Sequence, residues 1–347
     1  MSIEVVIYPE RGSREDYEKI LLDLGYVQVD SHFLFAASPK LRHYRWFDEE
    51  NYESINGVEA NIVPNQSPDD EITDNTKFYI HTRTRISSSY FDLRKQDETI
   101  RQLRRAYGGR FHNDHAGKNR YINPSVDPRD SSGRGIYITY ARIIAKIDTL
   151  MEVLPKPIFA PMEEAEAHIR EIFESSDPSR VIYNVLPAFC VAALESFFSD
   201  VFVILLRFDP KATVKMESKN KKLEFSEVLP IIHGRVSLED VVANWYSFQN
   251  LAQMDRAYRE WFDISLFDAL NTRKKVANRV QPLHQHYQQL IDRRHNFIHR
   301  FGFDTSLDMT TTLELLKLVS LIMRSFIDYI EKNKKIQIFN PDYDWPY

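Results

Sequence analysis

The pattern of apolar and polar positions in the first part of the chain mixes short β-like runs with one or two stretches of helical spacing. Residues 4–8, 26–29, 32–36, 44–47, 59–63 and 77–86 are the β-like runs, with β-branched and aromatic side chains, and are predicted as strands. Residues 13–24 and 92–107 instead repeat their apolar positions at helical spacing. Gly25 and the pair Gly108-Gly109 stand where those helices should stop. A loop rich in Pro, Asp, Ser and Gly covers 123–135, and 136–144 reads as one more strand.

Prolines then cluster at Pro155, Pro157 and Pro161, a density that disfavours a continuous helix and suits a linker. Beyond them the pattern is almost purely helical, with helices predicted over 163–174, 178–206, 238–254, 276–301 and 310–333. Leu313, Leu316, Val319, Met323, Phe326, Ile327 and Ile330 line one face of the last. Residues 211–222 read as a charged loop. The expected organisation is an α+β domain over 1–152, a proline-rich linker over 153–164, an all-α helix bundle over 165–335 and a tail over 336–347.

An apolar share of 43 %, with 22 Phe and 18 Tyr, supplies ample core for two domains. A formal charge of −5 argues against a uniformly basic nucleic-acid coat but leaves room for a local basic groove. The lone Cys190 excludes an intramolecular disulfide and lies in an apolar helix, as a buried thiol would. Residues 185–206 have membrane length, yet Glu195 and Asp200 make spanning expensive. The N-terminus lacks the basic region and apolar run of a signal peptide, so a cytoplasmic protein without a membrane partner is expected.

Chemistry concentrates near the end of the 276–301 helix. Tyr287, Leu290, Ile291, Phe297, Ile298 and Phe301 form an apolar stripe, and Arg294 falls on it. A buried arginine cannot shed its proton, so it requires an anionic partner or an opening to water. Interface or surface placement of Arg293 and Arg294, with His295 and His299 on the helix surface, is the plain alternative, and Arg279–His284 and Arg110–His115 share the same spacing. A second region, from Arg83 to Arg120, holds ten basic residues against four acids, with Tyr90, Phe91, Tyr107, Phe111 and Tyr121 interleaved. Such a mixture suits a groove that follows a nucleic-acid backbone, with Arg101, Arg104 and Arg105 as contacts, and equally suits a solvated basic helix. No P-loop spacing, GxSxG or CxxC is present.

The run from Leu290 to Gly302, with Arg294, the polar His295 and then His299, resembles the signature of the HEPN superfamily. Glu195 within Ala192–Asp200, the stretch Asn244–Phe248 and the closing amphipathic helix fit the same layout, over roughly residues 165–335. The resemblance implies a metal-independent endoribonuclease that works as a homodimer through its bundle, with two motifs facing each other and no cofactor. By the motif, Arg294 would stabilise the phosphate and His299 would transfer protons. His295 could orient substrate or share the proton transfer. A zinc site on His295 and His299 is the weaker reading, because no third ligand is evident. Glu195 would hold Arg294 in place, or simply join two helices. Arg293, Asn296 and Arg300 would bind the RNA backbone, while His284 and His286 read as solvated. The resemblance further implies a toxin or anti-phage effector, whose N-terminal domain selects RNA or answers to an inhibitor or trigger. The competing class is a non-catalytic binding or dimerisation module.

Overall fold

The structure, a computed structural model, describes residues 2–30, 41–65, 73, 77–86, 88–158, 176–219, 222–300, 302, 304 and 306–340. The expected strand over 32–36 and helix over 163–174 lie outside these residues, as do Pro161 and Phe301. The chain divides into two compact units at Ser131 and Ser132 rather than near residue 152.

The first unit is an antiparallel sheet covered on one face by helices. β1 (Ser2–Tyr8) leads to α1 (Arg14–Asp23), β2 (Val27–Val29), β3 (Arg42–Trp46), β4 (Val58–Pro64) and β5 (Phe78–Arg85). After α2 (Tyr90–Tyr107), β6 (Arg110–Asn113) and β7 (Gly117–Lys118) complete the order β2-β3-β4-β5-β1-β6-β7. β4 and β1 flank β5, and β5 and β6 flank β1, so the sheet interlocks two split β-α-β units. Alternation along β1 buries Ile3, Val5 and Ile7, and the last two pack in one core with Tyr17 and Leu21 of α1 and Ile100 and Leu103 of α2. Both helices begin with a capping box, Ser13 with Asp16 and Ser89 with Asp92. Each ends at a glycine with positive φ, Gly25 at 81° and Gly108 at 70°.

Asp92 also joins the sheet to its helix layer. Its carboxylate accepts the backbone N–H groups of Ser89, Ile55, Asn56 and Gly57 at 3.0–3.1 Å. A buried acid with four such donors fixes the loop before β4 on the start of α2.

The second unit opens with α3 (Ser131–Glu152). Its middle was expected as a strand, but Ile136, Ile138, Ile143, Ile144 and Ile147 are buried in a helix. Burial on several sides here outweighs the β preference of branched side chains. α4 (Pro178–Phe208) is the core helix, started by an Asp177 cap and by Pro178. It is long and apolar enough to cross a membrane, with mean hydropathy 2.1, yet 56 % of that window is buried inside the protein. α5 (Pro210–Ser218) replaces the expected charged loop, capped by Asp209. α6 (Phe225–Ile232) follows, and the helix expected over 238–254 is two pieces, α7 (Leu238–Ala243) and α8 (Leu251–Phe262). Between them Tyr246 and Phe248 turn onto Phe202, and Asn250 caps α8 by accepting from Ala252 and Gln253.

After α9 (Leu266–Ala269), a hairpin of β8 (Arg273–Val276) and β9 (Arg279–Pro282) precedes α10 (Leu283–Arg300) and α11 (Met309–Lys334). Residues 276–282 were expected as helix. Pro282 cannot continue one, and Ala277 and Asn278 both take positive φ in a two-residue turn. The core stacks Phe197, Phe198, Phe202, Tyr258, Phe262 and Phe326 edge to face around α4. Cys190 lies within it, and burial pushes its thiol up to about 12.

Candidate functional site

α10 runs antiparallel to α4. Tyr287 stacks on Phe198, Arg294 meets Glu195, and Asp304 beyond the helix meets Asn184. The inward stripe of α10 is Leu283, Tyr287 and Leu290, and Arg294 continues it by one helical turn. The stripe ends there, since Ile298, expected in the core, is 52 % exposed.

Arg294 Nη1 donates to Glu195 Oε1 at 2.7 Å, and the two side chains are 25 % and 15 % exposed. Burial pushes the Glu195 carboxyl above its ordinary range, and Arg294 opposes that shift. Tyr287, beside this pair, is fully buried, and its hydroxyl has no hydrogen-bond partner among the described residues. Its own burial, then the negative charge of Glu195, raises the phenol well above its usual value. Arg294 gives only Nη1 to Glu195, so the rest of the guanidinium remains for an anion.

His295 and His299 lie on the outer face, with ring centroids 4.6 Å apart at 42°. Among the described residues neither ring has a hydrogen-bond or ion-pair partner, and no direct bond joins them to the Arg294–Glu195 pair. Five residues turn a helix through about 140° beyond a full turn, which separates the guanidinium from the His299 ring. Asn296 and Arg300 are exposed too, and the Asn296 carbonyl accepts Gly302 N–H at 3.3 Å, closing the helix. Among the described residues, no group of three His, Cys, Asp or Glu side chains is placed to hold a metal.

Arg293, expected to bind the RNA backbone or to stand as a surface charge, is partly buried, its side chain 29 % exposed. Its Nη2 lies 3.6 Å from Asp304, and its Nη1 is buried with no hydrogen-bond partner among the described residues. Asn184 fixes the loop after α10 with both ends of its amide, donating to the Asp304 carbonyl at 3.3 Å and accepting its N–H at 2.7 Å. His286 corrects another expectation: it is buried, and it donates from Nε2 to the Lys274 carbonyl at 3.0 Å.

The basic region of the first unit divides between two sides. Arg83 lies on the sheet face opposite α1 and α2, 3.7 Å from Glu4 and 3.8 Å from Glu59. Arg101 and Arg104 project from α2 over Tyr121 at 3.8 Å and Phe111 at 5.6 Å, and Arg105 is exposed beside them. The ten charges therefore form no single groove. Missed in the sequence was the basic hairpin Arg273, Lys274, Lys275 and Arg279, which Pro282 would have revealed by forbidding a helix across it. Compared with protein-family models, curated proteins and solved structures, the chain matches none.

Proposed function

We propose that the second unit is a HEPN-like bundle and that the protein is a metal-independent endoribonuclease working as a homodimer. The observation that carries this reading is the Arg294–Glu195 ion pair at the inner end of the R-x4-H helix, with two exposed imidazoles beyond it. RNA brings its own nucleophile, the 2′-hydroxyl. Attack on phosphorus forms the 2′,3′-cyclic phosphate and expels the 5′-oxygen, so the site must remove one proton, deliver another and stabilise charge. His299 and His295, from one protomer or two, exchange the protons. Arg294, oriented by Glu195, binds the phosphate oxygens.

The dimer has physical support in exposed apolar residues. Val181, Ile182, Val185 and Phe189 of α4 and Ile298 of α10 are all more than a third exposed. The antiparallel pairing of the two helices puts His299 between the levels of Glu195 and Asn184, where Val185 and Phe189 lie. A second copy seated there would bring two motifs together. The same reading makes the protein a cytoplasmic toxin or anti-phage effector, with Arg101, Arg104 and Arg105 among its RNA contacts and the first unit answering to an inhibitor or trigger. One observation favours a purely binding role instead: Glu195 already balances the charge of Arg294.

The test is incubation of the purified protein with mixed cellular RNA in EDTA, beside His299→Ala of unchanged dimerisation. Cleavage that disappears in His299→Ala is the expected result. Equal cleavage by both proteins rejects the site, and stable RNA binding without product from the wild type selects the binding module.

A further inference from the structure

Between the β8–β9 hairpin, α10 and α11 the bundle holds a cavity of about 180 Å³, lined by Arg279, His286, Gln289, Arg293, Ser306 and Thr311 together with apolar residues such as Leu290 and Leu315. Consecutive residues point about 100° apart around a helix, so Arg293 faces this cavity while Arg294 faces α4. Arg293 Nη1 is buried there without a hydrogen-bond partner among the described residues, although Nη2 approaches Asp304. A guanidinium nitrogen left in that condition is costly unless a further acceptor reaches it. His286 cannot be that acceptor. Its Nε2 proton goes to the Lys274 carbonyl, and its Nδ1 takes the amide of Gln281 at 3.1 Å.

The rim of the cavity is the β8–β9 hairpin. Between residues 273 and 279 it carries Arg273, Lys274, Lys275 and Arg279 with no acid. These four are exposed, and among the described residues Lys274, Lys275 and Arg279 have no side-chain partner, while Arg273 reaches only the Val280 carbonyl. The backbone beneath them is held firmly. Ala277 N–H donates to Glu314 of α11, the Lys274 carbonyl accepts from His286, and Leu283 N–H donates to Thr272 at 3.1 Å. A rigid strip of cations therefore leads into a small cavity of mixed polar and apolar lining that has a buried donor to spare. An anion with several acceptor oxygens satisfies both features.

We propose that the hairpin and the Arg293 cavity bind the phosphate backbone of single-stranded RNA, the cavity taking one phosphate and the hairpin lysines its neighbours. This rests on the ribonuclease reading, for which it supplies a substrate track on the motif helix. Counterion release makes each phosphate contact visible as salt dependence, with a slope of about −0.7 per contact on single strands.

The test measures fluorescence anisotropy of a short 2′-O-methyl oligoribonucleotide, which lacks the nucleophile and is not cut. Lys274→Gln/Lys275→Gln alters only exposed side chains, and Arg293→Gln, checked for an unchanged fold, alters the cavity. The expected result is about tenfold weaker binding by the lysine variant at low salt, with a slope shallower by about 1.4, and by about 0.7 for Arg293→Gln. Slopes and affinities equal to the wild type, or a wild type that does not bind, overturn the proposal. Binding that weakens as expected in a protein that never cleaves RNA would reject the nuclease and keep the track. Cleavage with unchanged binding in the variants would do the reverse.

Discussion

Asp92 in the first unit is fully buried and answers four backbone N–H groups, whereas Glu195 in the helical unit, 15 % exposed, faces one guanidinium. The backbone donors around Asp92 are held by the chain's own path, so its charge is satisfied without any movement and serves the fold. Arg294 is a side chain that also reaches water, and Glu195 is left with its carboxyl pushed up by burial. A pair of that kind can exchange partners when an anion arrives. The difference separates a structural carboxylate from one whose satisfaction is conditional, and substitutions can sharpen it in order of effect.

The largest loss belongs to Asp92→Ala. Orphaning four backbone donors at the loop before β4 should cost about 3 kcal/mol or more, read as a lower urea midpoint with an unchanged slope. A loss under about 1 kcal/mol would mean that water reaches those amides and that the contrast with Glu195 is empty. Arg294→Met should cost about 2 kcal/mol at alkaline pH, less than for a fully buried pair because a quarter of the side chain is exposed. The penalty should shrink toward acid pH. Glu195, with a folded-state pKa already raised and now lacking its cation, becomes easier to protonate, and a protonated carboxyl needs no counter-charge. A pH-independent penalty would show that lost packing, rather than stranded charge, is what the variant measures.

Asp97 stands between these extremes and should give the smallest effect. Burial lifts its carboxyl to about 6, against the opposing pull of Arg101 and of Ile122 N–H. The folded state thus holds that proton more tightly than the unfolded chain does. The stability this group contributes is complete below its ordinary value of 3.8 and is lost as the pH rises through about 6. Asp97→Asn keeps the acceptor without the charge, so it should stabilise the protein by about 1 kcal/mol above pH 7, after allowance for solvent screening, and leave acid stability unchanged. Thermal melts at several pH values would expose the opposite trend if Arg101 dominates.

Much of the architecture is legible along the chain because its causes are local. Ser13 with Asp16 and Ser89 with Asp92 start their helices three residues away, and Gly25 and Gly108 end them where φ must be positive. An ion pair of Glu195 was expected either to hold Arg294 or simply to join two helices, and the structure joins the two residues across 99 positions, as both readings allow. The same rules misread 136–144, where branched residues are buried in a helix, and 276–282, where Pro282 marks the break.

By itself, the sequence determined the change from sheet to helices, the caps, the apolar α4 and α11, and the R-x4-H spacing, because these depend on periodicity and on neighbours within a turn. Only the tertiary structure decided that Arg293 meets Asp304 while its neighbour Arg294 meets Glu195, that Ile298 is exposed, and that a basic hairpin borders a cavity. Each of these depends on which distant side chain excludes water from a given atom, and helical spacing carries no record of that partner.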